Sequence, residues 1–331
     1  MKKNRVNWGL IGPGLIARKF AQDITLVKDA SLIAVASSDP GRARNFAKDF
    51  QIPKACSSYG DLLSDPDVDG VYIATIHPTH YGIARDALNA GKHVLIEKPM
   101  TMNSLQARTL MDLARSKKLF LMEAMWTAFL PVTRAVLQLV RSGKLGFITK
   151  VEGTFSIGVT EVEAERLYNP ALGGGALLDL GIYPLSYAHM VMGSGSSEFI
   201  SEMNFTSKGV DESTRVKLTY GSGATAELSC HMAQKGPIQF QIHGEKGSVL
   251  VPHFLGANCY KVQWEHGEAE TYSLPFRGEG FVEQIEGAGQ SILEGHLENQ
   301  FWSHKDSLSV MTLMDAVRKT HNLQYPGWEQ I

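Results

Sequence analysis

The first 125 residues alternate short apolar runs with segments of helical spacing. Apolar runs of this length, rich in β-branched residues and bounded by glycine or proline, are typical of buried strands. They predict strands at 6–11, 31–36, 69–76, 93–97 and 119–124, with helices at 78–90 and 104–116. Repeated strand–helix units predict a doubly wound parallel sheet with right-handed crossovers.

The pattern changes beyond residue 125. Helices are predicted at 130–141, 281–294 and 307–319, and strands at 150–157, 199–206, 213–220, 224–231, 238–243 and 248–251. Hairpin signals lie at Gly221–Gly223 and Gly244–Gly247. Strands that follow one another without helices predict an antiparallel or mixed sheet. We therefore predict an α/β protein: a doubly wound domain over 1–125, then an α+β domain with an open, mostly antiparallel sheet over 126–331.

Composition and charge argue against a nucleic-acid-binding or membrane protein. The 331 residues are 44% hydrophobic and 20% charged, which is ordinary for soluble domains with sizeable cores. A formal net charge of -2 provides no electrostatic footprint for nucleic acid or an anionic membrane. No apolar run approaches the roughly 20 residues of a membrane span. Three scattered cysteines favour a reducing compartment. We predict a cytoplasmic protein.

A glycine pattern follows the first predicted strand. Gly12–Ala17 reads G-x-G-x-x-A and continues at helical spacing. Gly12 would permit the tight turn, and Gly14 would let the backbone approach a pyrophosphate at the positive helix end. Leu15 and Ile16 lie in the same turn and are included in the predicted cofactor site. A glycine turn without a ligand is the alternative.

The end of the second strand bears on the choice of dinucleotide. Ser37 and Ser38 stand where an NAD enzyme usually has a carboxylate for the ribose 2′-hydroxyl. Asp39 is assigned to helix capping because Pro40 follows it at a first helical position. Together with Arg42, the two serines favour the 2′-phosphate of NADP over NAD, and a solvated Arg42 is the alternative.

Two further strand ends carry candidate residues. Thr75, His77 and His80 are predicted to border the nicotinamide. The two histidines suggest metal only weakly, because a proline lies between them and neither carboxylate nor cysteine completes a ligand set; we predict no metal. Glu97 and Lys98 end a buried strand at the edge where ligands bind, which places a cation there. A surface lysine is the alternative.

A glycine run in the second half opens a predicted helix. Asp179 and Tyr183 lie at i, i+4 and therefore on one face of this helix. They are predicted to form a polar functional cluster, and a purely structural role for both residues is the alternative. Arg166 and Tyr168 precede the run and are predicted to line a pocket. Trp126 is predicted to contact cofactor or substrate, with a core position as the alternative.

The chain resembles the glucose-fructose oxidoreductase/inositol dehydrogenase (Gfo/Idh/MocA) family, most closely its dimeric dihydrodiol dehydrogenase and NADP-dependent D-xylose dehydrogenase branch. The strings that carry this resemblance are Gly12–Ala17, His77–His80, Glu97–Pro99, Leu119–Trp126 and Gly174–Tyr183. Much of the family has histidine where Tyr183 stands, whereas this branch has tyrosine. Mammalian dihydrodiol dehydrogenases carry arginine where Ser38 stands, which leaves Arg42 as the remaining cation.

The resemblance implies a Rossmann domain and a second domain whose open sheet mediates dimerisation, giving a homodimer or a higher homo-oligomer. It also implies a cis peptide before Pro99 and a catalytic pair of Lys98 and Tyr183, with Asp179 beside them. Tyr183 would act as general base, its phenol (pKa about 10) assisted by the Lys98 cation, and Asp179 would orient Lys98 or bind a substrate hydroxyl.

The expected reaction is hydride transfer between nicotinamide, as NADP rather than NAD, and a secondary or anomeric alcohol. The expected substrates are polyols, sugars and cyclic trans-diols, and the identity of the substrate stays open. Two alternatives are a family glycosidase that retains NAD and a non-catalytic regulator that senses a dinucleotide.

Overall fold

The computed structural model describes residues 4–330, and the chain divides into two compact units. The first unit contains the chain up to Trp126, the segment Arg277–Ser307 and Gln330. The second unit contains Thr127–Phe276 and Leu308–Glu329. The single predicted boundary after residue 125 does not anticipate the return of a late segment to the first unit.

A six-stranded sheet forms the centre of the first unit, and all its strand pairs are parallel. Its strands are β1 (Val6–Ile11), β2 (Ala30–Ala36), β3 (Lys54–Ala55), β4 (Gly70–Ile73), β5 (His93–Glu97) and β6 (Leu121–Ala124). The spatial order β3-β2-β1-β4-β5-β6 reverses direction between β1 and β4. This is the Rossmann arrangement, in which ligands bind at the reversal point. The predicted doubly wound parallel sheet is confirmed.

Helices connect these strands. They are α1 (Leu15–Asp23), α2 (Pro40–Asp49), α3 (Tyr59–Ser64), α4 (His77–Asn89) and α5 (Ser104–Lys117). Phe20 of α1 stacks on Tyr72 of β4 with ring centroids 4.0 Å apart and meets Trp8 of β1 edge-on at 6.3 Å. All three rings are fully buried. Part of the core of this unit therefore lies between α1 and the sheet, beside the glycine turn.

The second unit is built on an eight-stranded sheet in the order β14-β13-β12-β11-β7-β10-β9-β8. The strands are β7 (Ile148–Ile157), β8 (Ser196–Phe205), β9 (Asp211–Tyr220), β10 (Thr225–His231), β11 (Lys235–Gly244), β12 (Gly247–Pro252), β13 (Cys259–Trp264) and β14 (Ala269–Ser273). Only the β7–β10 pair of this sheet, within residues 4–330, is parallel. The predicted mostly antiparallel sheet and both hairpins are confirmed.

Four helical elements of the second unit precede most of this sheet in the chain. They are α6 (Pro131–Arg141), α7 (Glu165–Tyr168), a π-helical segment Leu177–Gly181, and α8 (Ile182–Met192), which continues the π-helical segment. Helix α8 packs on one face of the sheet, where Tyr187 lies 4.5 Å from the Phe240 ring. Gly153 of β7 permits this packing, because a Cβ there would lie 2.8 Å from Phe240 and 3.0 Å from Pro184.

The structure contains elements that the sequence did not predict. They are strands β3, β13 and β14 and helices α3 and α7. Every residue of β14 is exposed, so the strand has no buried face to give an alternating pattern. Tyr272 of β14 stacks on Tyr260 of β13, with ring centroids 4.8 Å apart.

Two last helices, α9 (Val282–Glu294) and α10 (His304–Thr320), complete the chain. The segment before α9 is held in the first unit by the buried carboxylate of Asp23, which accepts hydrogen bonds from Glu279 N at 2.8 Å and Phe281 N at 2.7 Å. Within residues 4–330, no helix has the length and apolar character needed to cross a bilayer.

Candidate functional site

A first group of candidate residues, in the first unit, lies at the carboxyl edge of the parallel sheet. Strands β2, β1, β4, β5 and β6 are neighbours and end at the same edge. Residues predicted for the cofactor follow each of these strand ends: Ser37, Gly12, Thr75, Lys98 and Trp126. The fold therefore brings together, on one unit, candidates that are far apart in the sequence.

The glycine turn after β1 has little room for side chains on one side and open space on the other. Gly12 has φ +92°, and a Cβ there would lie 2.7 Å from Thr75 Cγ2. A Cβ on Gly14 would meet no atom within 4 Å, and Gly14 N donates to Gly12 O at 2.8 Å. Leu15 and Ile16 open α1 with 88% and 36% of their surface exposed. The backbone at Gly14 is therefore accessible to a ligand.

The loop after β2 confirms the assignment of Asp39 to capping. Asp39 Oδ1 accepts a hydrogen bond from Gly41 N at 2.7 Å, and Pro40 is the first residue of α2. Ser37 is buried with its hydroxyl accepting from Asp39 N at 3.2 Å, whereas Ser38 is exposed. Arg42 Nη2 donates to Pro13 O at 3.4 Å, so its guanidinium lies beside the glycine turn.

The loop after β4 is tied to the cis peptide after β5 by a buried histidine. His80 lies with Nδ1 2.9 Å from Pro99 O and Nε2 3.1 Å from Thr75 O, and it has no exposed surface. Burial, together with His77 and Lys98, lowers the pKa of His80 to about 3, so the ring is neutral and donates to only one carbonyl. Any contribution of His80 to a cofactor would pass through these backbone groups. His77 is also buried.

At the end of β5, the adjacent residues Glu97 and Lys98 differ in the exposure of their side chains. The Lys98–Pro99 peptide is cis, which confirms that expectation. Glu97 is buried, and its carboxylate accepts from Tyr72 Oη at 2.5 Å and from Lys98 N at 3.2 Å. Burial raises the pKa of Glu97 to about 7. Its side chain is thus committed to the interior, while Lys98 is partly exposed.

Sequence reasoning missed a second buried carboxylate in this region. Glu123 of β6 accepts from Met100 N at 2.7 Å, from Trp302 Nε1 at 2.9 Å and from Ser307 Oγ at 2.7 Å. It therefore fixes the segment that follows Lys98. An acid inside an apolar strand was the signal available in the sequence.

Trp126 follows β6 and stacks on Phe281, with ring centroids 5.5 Å apart and planes at 17°. Phe281 is fully buried and comes from the late segment that returns to the first unit. Its part in supporting Trp126 was not predicted, because the two residues are remote in sequence.

A second group of candidate residues, in the second unit, lies on the helix that begins after Gly173–Gly175. Asp179 lies in the π-helical segment and forms an ion pair with Arg166, Nη2 to Oδ2, at 3.0 Å. Tyr183 follows in α8 and meets the Phe155 ring edge-on at 5.8 Å. π-Helical turns are frequent at functional sites. Tyr168 donates its hydroxyl to Val159 O at 2.8 Å, so this group is engaged with the backbone.

Family models match both halves of the chain. A model described as an oxidoreductase family with an NAD-binding Rossmann fold matches residues 6–125. A model of the GFO/IDH/MocA C-terminal domain matches residues 133–250.

Curated relatives match over nearly the full length. A trans-1,2-dihydrobenzene-1,2-diol dehydrogenase of Xenopus laevis is 33% identical over 96% of this chain and 99% of its own. The enzyme of the same name from Bos taurus is 33% identical over 97% of this chain and 98% of its own.

Solved structures match in fold. The 3-ketoreductase KijD10 from Actinomadura kijaniata, in complex with NADP and TDP-benzene, is 29% identical with a TM-score of 0.86, covering 96% of this chain and 98% of its own. An aldose-aldose oxidoreductase from Caulobacter crescentus has a TM-score of 0.87 at 23% identity, over 96% and 98% of the two chains, and is a match of fold.

Proposed function

The chain belongs to the Gfo/Idh/MocA oxidoreductase family, and on that premise we propose that it transfers a hydride between NADP and a secondary or anomeric alcohol. The observation that carries the proposal is the carboxyl edge of the parallel sheet, where open backbone at Gly14 and the guanidinium of Arg42 adjoin one turn. A pyrophosphate binds to open backbone such as that at Gly14, and a 2′-phosphate binds to a cation such as Arg42.

The residues present fit a nicotinamide dinucleotide. Gly12, Gly14, Leu15 and Ile16 would hold the pyrophosphate, because the N-terminus of α1 is open there. Ser37, Ser38 and Arg42 would hold the adenosine ribose and its phosphate. Thr75, His77, Lys98 and Trp126 would form the remaining wall, together with backbone groups that His80 and Glu97 hold in place. When bound, the nicotinamide supplies the hydride acceptor or donor.

The catalytic roles are assigned to three side chains of this chain. Tyr183 Oη takes the hydroxyl proton from the alcohol as the carbon–hydrogen bond breaks, and returns it in the reverse direction. Lys98 supplies the positive charge that a phenol needs to act as a base near neutral pH. Asp179, held by Arg166, binds a substrate hydroxyl or orients the lysine.

The substrate class follows from the chemistry assigned to these residues and from the relatives. The curated relatives are named for a cyclic trans-diol, and KijD10 is a 3-ketoreductase crystallised with NADP. We propose a sugar, polyol or cyclic trans-diol whose hydroxyl reaches Tyr183. Trp126, Arg166 and Asp179 are the further substrate contacts in this proposal.

A homodimer forms through the face of the second sheet opposite α8 in this proposal. A groove of about 400 Å³ lies on this face, and Ile200 in it is 71% exposed. Both charge signs are present, since Lys150 Nζ lies 3.0 Å from Glu152 Oε1 and from Glu227 Oε2. A two-fold interface places one patch against its copy, which mixed charge allows. The cysteines, which form no disulfide, accord with a cytoplasmic location.

The deciding experiment is a turnover assay with NADP and NAD across a panel of aldoses, polyols and cyclic trans-diols. The proposal expects substrate-dependent NADPH formation, with NADP preferred. Tight retention of NAD through purification, together with no net reduction of added cofactor, would instead indicate a glycosidase. Dinucleotide binding without turnover of any panel member would contradict the proposal of an enzyme.

A further inference from the structure

The glycine turn before the helix of Asp179 and Tyr183 is held by two buried polar side chains from remote parts of the second unit. Asp211, the first residue of β9, accepts hydrogen bonds from Leu177 N at 2.6 Å and from Thr214 Oγ1 at 2.9 Å. Tyr325 donates its hydroxyl to Gly174 O at 2.5 Å. Neither Asp211 nor Tyr325 has any exposed surface.

The turn approaches both side chains too closely for any residue but glycine at its last position. Gly175 has φ +116°, and a Cβ there would lie 2.3 Å from Asp211 Oδ1 and 2.8 Å from Tyr325 Oη. Its N–H donates to Leu167 O at 2.8 Å. The start of the helix is thus fixed on one side by α7 and on the other by Asp211 and Tyr325.

Asp211 satisfies a group that the local sequence leaves unpaired. The first N–H groups of a helix lack partners within it, and no side chain of the preceding residue caps this helix. The carboxylate of Asp211 supplies an acceptor to Leu177 N, two residues before Asp179. A negative charge also suits the positive end of a helix.

The C-terminal segment that carries Tyr325 is itself anchored. Arg318 of α10 is buried, pairs with Asp315 at 2.7 Å and with Glu329, and its guanidinium lies 5.6 Å from the centre of the Tyr325 ring. Tyr325 is therefore held both by the contact of its ring with the Arg318 guanidinium and by the hydrogen bond of its hydroxyl.

We propose that Asp211 and Tyr325 are positioning residues that fix the register of the helix on which Asp179 and Tyr183 act. The proposal rests on the catalytic role of Tyr183 proposed above. A catalytic group moved by about 1 Å can lose roughly 100-fold in rate, because the reacting atoms no longer meet in a productive geometry. The two side chains would therefore influence turnover without touching the substrate.

The test compares Asp211→Ala, Asp211→Asn and Tyr325→Phe with wild type in kcat, KM and the Kd for NADP, well below each variant's melting temperature. We expect Asp211→Ala and Tyr325→Phe to lower kcat about 10- to 100-fold, with the NADP Kd unchanged. Asp211→Asn should keep kcat within about threefold, since its amide oxygen still accepts from Leu177 N. Tyr220→Phe removes the hydroxyl of a different buried tyrosine, at the end of β9, and serves as the matched control.

The proposal is overturned if Asp211→Ala and Tyr325→Phe reduce only the melting temperature and keep wild-type kcat. An Asp211→Asn variant as slow as Asp211→Ala would refute the acceptor role. Tyr325→Phe retains its ring and carries the test should Asp211→Ala fail to fold. Wild-type turnover in Tyr183→Phe would refute the catalytic role of Tyr183 on which this proposal rests. Absence of NADPH formation by the wild-type protein with every panel member would refute the proposed function, so these failures can be told apart from that of the positioning role.

Discussion

The phenol of Tyr72 donates a 2.5 Å hydrogen bond to Glu97 Oε1, one residue before Lys98. The Tyr72 ring is stacked under Phe20, so the carboxyl group is surrounded by apolar core. Burial raises the pKa of Glu97 to about 7, although the Tyr72 hydrogen bond and Lys98 act in the opposite direction. The folded protein therefore binds this proton more tightly than the unfolded chain does.

Glu97→Gln should remove the pH-dependent contribution of Glu97 to the free energy of unfolding. The contribution of Glu97 is fully present below its unfolded pKa, near 4.5, and is lost as the pH rises through about 7. The free energy of unfolding of Glu97→Gln relative to wild type should therefore rise by about 3 kcal/mol between those pH values. Urea denaturation at a series of pH values measures this difference. A difference that stays flat with pH would contradict the prediction.

Removal of either proposed catalytic group should abolish most turnover. Tyr183→Phe and Lys98→Met should each lower kcat/KM by about 100- to 10,000-fold, because proton transfer loses its base or the cation that assists it. Steady-state kinetics and NADP binding by fluorescence titration provide the readouts. Tyr187→Phe, which alters a core tyrosine of α8 packed on Phe240, is the matched control and should keep turnover. Near-wild-type rates in Tyr183→Phe would refute the assignment.

Arg42→Ala should weaken NADP selectively. One charge-assisted hydrogen bond contributes about 1.5–3 kcal/mol, so we expect about a 10- to 100-fold loss of NADP affinity and little change for NAD. Arg44→Ala on the same helix is the control, since Arg44 is exposed and Arg42 is the residue that reaches Pro13 O. Equal losses of affinity for NADP and NAD in Arg42→Ala would show that Arg42 does not bind the 2′-phosphate.

Ile200→Glu should disrupt the proposed homodimer. It introduces a carboxylate on an exposed apolar residue of the groove, where the two copies would each carry the new charge. Sedimentation velocity should show a monomer, whereas Leu105→Glu, at a 55% exposed leucine on α5, should leave the assembly unchanged. A wild-type monomer at micromolar concentration would itself contradict the proposal.

Local patterns were sufficient for the parts of the fold that rest on neighbouring residues. The glycine turn at Gly12, the capping role of Asp39 and the alternation of strands and helices each depend on a few consecutive positions. Such features follow from backbone sterics and hydrogen bonding within one segment. For the same reason the residues placed at the carboxyl edge of the first sheet could be named in advance.

Groups that act over long sequence separations could not be predicted in this way. Glu123 with Trp302, and Asp211 with Leu177, are paired only because the folded chain brings them together. Strand β14 was missed for another reason: it is exposed throughout and leaves no hydrophobic signal. An isolated acid in an apolar run is visible in the sequence, but its partner is not.

The hydrogen bonds from Glu279 and Phe281 to Asp23 link residues 256 and 258 positions apart. During synthesis on the ribosome, the nucleotide-binding half therefore emerges long before the segment that completes it. At about 5–20 residues per second, the delay between Asp23 and its donors is on the order of ten to fifty seconds. Through that interval the Asp23 carboxylate lacks its amide donors, so the first unit cannot complete its fold until the late segment has been synthesised.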